Sequence, residues 1–380
     1  MKHAKMVLLA SAFVMATWGG VNGQTASGQP GEAAQRHIDL AICLDTSNSM
    51  DGLIESAKQK LWAVVNELAT AKPRPVLRVA LYQYGNNGLS PSNGWVQQLC
   101  GLTTDLDEVY GKLFGLTTNG GTELVARVVR AATDELEWST DKGTLRIVFV
   151  AGNEPATQDE ATYKLQDVCK AAASKGIIVN TVHCGNDATG RQTGWADAAR
   201  WADGQYAAID QSGGTIVITT PFDDKLAKLG DKLNETYVSY GADGERGKEA
   251  QSAQDKNAAK LGAPAAAERV ATKATGLYTN ANWDLVDAAR DKDFDINAIK
   301  TEDLPEEMQG MTIDERRAYV EGKAKERVQI QAEISELNVK RNEHVKQEMQ
   351  EKGLSEDAAF DAAVRGAVRA QATAAGFALE

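Results

Sequence analysis

From His37 to about Tyr237 the chain alternates short apolar runs with stretches of helical period. That alternation restricts the fold more than any other feature. Ile38–Leu44 and Leu145–Val150 are unbroken apolar runs. Strands of this kind are buried on both faces, as in parallel sheets covered by helices. Further runs at Val76–Tyr82, Trp95–Cys100, Ile177–Val182 and Tyr206–Ile209 bring the strands to six. Between them, Ile54, Leu61, Val64, Val65 and Leu68 recur at helical spacing, as do Leu124, Val125, Val128, Val129, Ala132 and Leu136. Shorter helices are read near Leu106–Phe114, Ala161–Ser174 and Ala196–Ala202. Thr220-Pro221-Phe222-Asp223 opens one more, with a hydroxyl cap, Pro at the first position and an acid at the third. The turn Gly88–Gly94 is too short for a helical crossover, so the second and third strands are read as an antiparallel hairpin. The expected fold is α/β: a doubly wound, mostly parallel six-stranded sheet with helices on both faces. Ligands of such sheets bind beyond the carboxyl ends of the strands, where the strand order switches. The order itself is not readable from the residues.

After Gly241 the composition changes. Residues 242–276 are rich in Ala, Gln, Lys and Glu, without a strand pattern. Leu277-Tyr278 and Trp283–Val286 form a small apolar cluster, read as a docking point. No proline occurs in 306–380, and the stretch from Thr312 to about Lys352 is strongly helical. Within it Ile330, Ile334, Leu337, Arg341 and Val345 approximate a seam at spacings of four and three. A second helix is expected from Ser355 to about Thr373. The region 242–380 is therefore read as an appended all-α extension built on a helical hairpin. An oligomer formed through a coiled coil of this tail is one expectation.

The first residues read as an export signal. Lys2 and Lys5 precede an apolar Met6–Trp18, too short to span a bilayer, and Val21-Asn22-Gly23 offers a cleavage point. This gives a signal over 1–23, a linker over 24–36 and an expected address in the periplasm or outside the cell. The formal net charge of -12 opposes nucleic acid and an anionic membrane surface as partners. Stable membrane insertion is not expected. Cys43, Cys100, Cys169 and Cys184 permit two disulfides in an exported protein. Three of them lie in apolar patterns, where buried free thiols are common.

The chemistry-bearing stretch is Asp45-Thr46-Ser47-Asn48-Ser49, directly after the first apolar run. Asp45, Ser47 and Ser49 sit at i, i+2 and i+4, which aims three oxygen-bearing side chains to one side of an extended turn. One carboxylate with hydroxyls suits a small hard cation that keeps some of its waters. The plainer reading is an Asp-Ser turn capping the next helix.

Three elements now stand in order: the strand ending in Asp45–Ser49, Gly120-Gly121-Thr122 before a helix, and a central strand ending in Val150-Ala151-Gly152-Asn153-Glu154-Pro155. Together they resemble a von Willebrand factor type A domain over residues 37–238. The resemblance implies that the first and fourth strands are neighbours. It also implies a metal-ion-dependent adhesion site, in which Asp45, Ser47, Ser49 and Thr122 hold a divalent cation, usually Mg2+, with Mn2+ or Ca2+ as substitutes. The family usually carries a supporting Asp where this chain has Gly152. Glu154 or Asn153 could stand in for it, and Glu154 could equally cap the next helix. The Gly-Asn-Glu-Pro form is similar to a branch of exported bacterial type A proteins with helical tails.

An enzyme is not expected. His183 and Cys184 are adjacent on a strand, so their side chains point to opposite faces and cannot form a nucleophile–base pair. Gly185–Gln192 has Arg191 and Gln192 where a phosphate loop needs Lys and Ser or Thr. The leading expectation is a non-enzymatic binding or adhesion module whose partner protein offers an acidic side chain to the cation. The alternative is a metal-free structural or assembly scaffold of the cell envelope.

Overall fold

A computed structural model of the chain describes residues 36–379, apart from 142, 160, 210–215 and 355–359. The expected signal, nearly all of the linker, and Ser355 at the expected start of the last helix lie outside the described residues.

The six apolar runs form one sheet: β1 (His37–Asp45), β2 (Val76–Tyr84), β3 (Val96–Thr103), β4 (Leu145–Gly152), β5 (Ile177–Cys184) and β6 (Tyr206–Ile209). Their order is β3-β2-β1-β4-β5-β6. Every pairing is parallel except β2 with β3, which is the expected hairpin. β1 lies between β2 and β4, with Asp45 in register with Tyr84 and Leu44 with Ala151. The first and fourth strands are therefore neighbours, and the crevice of a switched sheet opens above their carboxyl ends.

Alternation along β1 divides the core. Leu40, Ile42 and Leu44 face α1 (Asp51–Ala69) and α2 (Leu106–Phe114). Ala41 and Cys43 face α3 (Val125–Glu135), α4 (Leu165–Ser174) and α5 (Trp195–Trp201). α4 starts later than its sequence indicates. Arg127 binds the Asp159 carboxylate, with Nε 2.6 Å from Oδ2, and the Asp159 carbonyl accepts from the N–H groups of Thr162 and Tyr163 at 2.9 Å. These bonds hold a turn where the first helical turn was expected.

The remaining long helices are α6 (Asp223–Asn234), α7 (Gly244–Leu261), α8 (Ala263–Lys273), α9 (Ile313–Glu351) and α10 (Phe360–Ala374). α9 opens on a reciprocal capping box between Thr312 and Glu315. Its seam residues Ile330, Ile334, Leu337 and Arg341 are buried, as expected of a contact face. The contact is internal, however. α9 packs on α6 and α8, whereas α10 packs on α1 and over β4, β5 and β6. Among the described residues the two tail helices thus dock separately on the core rather than against each other as a hairpin. The seam that could have served a coiled-coil partner is spent within the chain. Leu277, Tyr278, Trp283, Leu285 and Val286 are buried, so the docking point stands. Residues 71–72 and 378–379 add a small antiparallel ribbon, and Arg36 stacks 4.1 Å over Phe377 beside it.

Three buried ion-pair clusters tie the tail down. Arg269 reaches Asp107 at 2.6 Å and Asp255 at 2.9 Å. Arg327 reaches Asp284 at 2.7 Å and Asp287 at 3.0 Å, and also donates to the Thr236 carbonyl at 2.7 Å. Arg341 reaches Asp223 at 2.9 Å. Carboxylates meet each guanidinium fork, joined by the Tyr278 hydroxyl at Arg269, the Thr236 carbonyl at Arg327 and the Pro264 carbonyl at Arg341, which is what permits their burial.

Candidate metal centre

The loop after β1 and the loop before α3 are stitched together by their backbones. Asn48 N–H donates to the Gly120 carbonyl at 2.9 Å, and Asn119 N–H donates to the Thr46 carbonyl at 3.0 Å. Thr122 N–H donates to the Gly85 carbonyl at 3.2 Å, which ties the second loop to the end of β2 as well. Residues 45–49 and 119–122 are thereby held at one place above the switch point.

Within that frame the side chains converge. Asp45 is fully buried, and its Oδ1 accepts from the Ser47 N–H at 2.8 Å. This is the turn bond of the plain reading, but it uses only one carboxylate oxygen. Oδ2 is buried without a hydrogen-bond partner. Ser47 and Ser49 hydroxyls lie 3.1 Å apart, and Ser49 donates to Asn153 Oδ1 at 3.2 Å. The i, i+2, i+4 spacing has thus delivered one carboxylate and two hydroxyls to one spot, with Thr122 half-buried on the facing loop. No side chain of this loop caps the following helical turn.

Glu154 is not brought in. Its side chain is exposed and accepts from Gln158 at 3.4 Å, while its carbonyl accepts from the Trp195 indole at 2.8 Å. As folded, its carboxylate contacts Gln158 while its charge acts on Glu123. Asn153 reaches the rim through Ser49 instead.

Gly152 has a physical reason. A Cβ there would collide with the Tyr84 hydroxyl and come within 3.1 Å of the Trp195 ring and 3.2 Å of Asp45 Oδ2. Tyr84 fills the space that a side chain at 152 would need, and its hydroxyl donates to the Ala151 carbonyl at 3.0 Å. The usual Asp has no room here.

A residue that the sequence did not flag enters from the other side. Glu123, next to Thr122, is buried, and its Oε2 has no hydrogen-bond partner. Its carboxyl lies against Asp45, with Ser47 and Glu154 among the groups that act on it. Asp45 is held well above the usual carboxylate range, first by burial and then by the Glu123 charge beside it. Glu123 is also raised, chiefly by burial. The largest influences on the two acids include no basic side chain. The signal available in the sequence was an acid directly after Gly120-Gly121-Thr122.

These residues fit a hard divalent cation. Two buried carboxylates with unpartnered oxygens, two hydroxyls and a nearby Thr form an all-oxygen donor set. Among the described residues no cluster of three or more His, Cys, Asp or Glu is present, so the set depends on hydroxyls. The other sequence candidates are structural. His183 packs 5.7 Å from Trp195, whereas Cys184 faces the opposite core, and burial lowers the His183 pKa. Arg191 is tied to Asp187 at 2.9 Å. Trp195 is core. All four cysteines are buried and free.

Residues 39–193 match the family model of the von Willebrand factor type A domain. The chain contains a von Willebrand factor type A domain. Solved structures similar to it include the VWA domain of SpRpn10, at 18% identity and TM-score 0.37, covering 46% of this chain and 89% of that one. BatB from Bacteroides thetaiotaomicron is similar at 18% identity and TM-score 0.35, covering 46% and 90%. Proximal thread matrix protein 1 from the mussel byssus, with a zinc-occupied MIDAS motif, is similar at 11% identity and TM-score 0.34, covering 47% and 42%. No curated protein matches the sequence.

Proposed function

We propose that this type A domain is a non-enzymatic, cation-dependent protein-binding module. The observation that carries this reading is the buried Asp45 carboxylate, with one oxygen unpartnered beside the Ser47 and Ser49 hydroxyls. Asp45, Ser47, Ser49 and Thr122 would hold the ion, Mg2+ in the first instance, with Mn2+ or Ca2+ as substitutes. Ser49 is exposed, so one side of the ion faces solvent. Water on that side is replaceable by an Asp or Glu carboxylate of a partner protein.

The sequence of residues 1–23 supports work outside the cytoplasm, in the periplasm or beyond. No helix among the described residues is long and apolar enough to cross a membrane.

The test is water-proton relaxation of Mn2+ added to the full chain. Bound Mn2+ with exchangeable water should raise the relaxivity, and a short Asp-containing peptide should lower it again. No relaxivity change with Mn2+, or one unaltered in Asp45→Ala, would overturn the reading.

A further inference from the structure

We infer that Glu123 supplies the second carboxylate of the cation site, in place of the one that the loop after β4 does not carry. The inference rests on the cation reading above and deepens it by assigning a ligand.

Three independent features place it there. The first is space. The Tyr84 hydroxyl occupies the volume of a side chain at 152, so no acid can enter from that strand. The second is a cradle. A Cβ at Gly85 would lie 2.7 Å from Asp45 Oδ1 and 2.8 Å from Glu123 Cγ. A Cβ at Gly121 would lie 2.9 Å from Glu123 Oε1 and 3.6 Å from Ser47 Cβ. Both glycines thus leave open the volume into which the Glu123 side chain folds toward Asp45 and Ser47. The third is the unpartnered oxygen. Glu123 is 6% exposed, Asp45 is 0% exposed, and each keeps one carboxylate oxygen without a hydrogen-bond partner.

Two acids buried face to face either share a proton or are joined by a positive charge. A dication between them is balanced by two carboxylates, and affinity for such ions rises with the number of charged ligands. Glu123 thereby restores the charge that Gly152 removes. It does so from the facing loop, which leaves Asn153 and Ser49 as the neutral, open side of the site.

The experiment is Mn2+ binding followed by electron paramagnetic resonance, with thermal melts of the same full-length samples. Glu123→Gln keeps the shape and removes the charge. It should weaken Mn2+ binding by about tenfold or more. Its melting temperature without metal should match or exceed that of wild type, while the rise on adding Mn2+ shrinks. Gly121→Ala, at an exposed glycine, should displace the Glu123 carboxylate and weaken binding with both acids still present. Glu154→Gln, at an exposed acid nearby, should stay within about twofold of wild type, as expected for a screened surface charge. Wild-type binding with Glu123→Gln unchanged would overturn the assignment and leave the cation reading standing. A drop in Glu154→Gln as large as in Glu123→Gln would reduce the effect to general charge and also overturn it. Absence of Mn2+ binding by wild type would overturn both.

Discussion

Two of the regions that bury acids treat them in opposite ways. Under the tail, every acid of the three clusters meets a cation from the same chain. Asp107 and Asp255 meet Arg269, Asp284 and Asp287 meet Arg327, and Asp223 meets Arg341. Above the switch point, Asp45 and Glu123 meet each other. A chain that neutralises its buried carboxylates with arginine in one place has left them facing in another. The tail clusters are charge-paired within the chain, and they hold the helical region on the α/β core. The loop pair has no ion-pair partner among the described residues, and that is the gap the proposed cation would fill.

Removing a cation under the tail is the harshest way to press this contrast. Arg327→Met should strand Asp284, leave Asp287 with Arg290 alone at 3.2 Å, and cost about 3–5 kcal/mol, read from the urea midpoint. Ile334, fully buried on the α9 seam, tests whether the tail is one cooperative unit with the sheet. Ile334→Ala should cost about 3 kcal/mol in a single shared transition. Separate transitions for tail and sheet would break the comparison.

Acid removal sharpens it, because the sign should differ. Asp284→Asn weakens a satisfied pair and should destabilise. Asp45→Asn in metal-free protein relieves a buried repulsion and should be neutral or stabilising by about 1 kcal/mol in thermal melts.

The smallest effect is a pH limb. Burial pushes the Asp255 carboxyl up, but Lys273 and Arg269 beside it outweigh this and hold it below its usual range. Its contribution to stability is then complete above the ordinary carboxylate value and lost as pH falls through the lowered folded value. Asp255→Asn should therefore flatten the acid side of the stability–pH curve and leave its slope near neutrality unchanged.

The sheet was legible because its signals are local. Ile38–Leu44 and Leu145–Val150 announce two-sided burial without any knowledge of partners. Asp45, Ser47 and Ser49 were legible for the same reason, since their spacing alone sets their direction. Glu123 was not, because its proposed role depends on Tyr84 occupying the volume beside Gly152 and on two glycines leaving it room. Those contacts join three loops far apart in sequence. Arg327 was hidden likewise, with partners at Thr236, Asp284 and Asp287 that no periodicity reveals. The tail seam was legible as a seam, but its partner was not. Apolar spacing reports that a face is covered and is silent on whether the cover belongs to the same chain.

The most direct measurement is a crystal of the full chain soaked in Mn2+ and recorded at the metal's absorption edge. The expected result is one anomalous peak touching Ser47, Ser49 and a carboxylate of the Asp45–Glu123 pair, at about 2.1 Å from its oxygens. No peak at saturating Mn2+, with Asp45 and Glu123 still lying against each other, would contradict the claim that this pair is built for a cation.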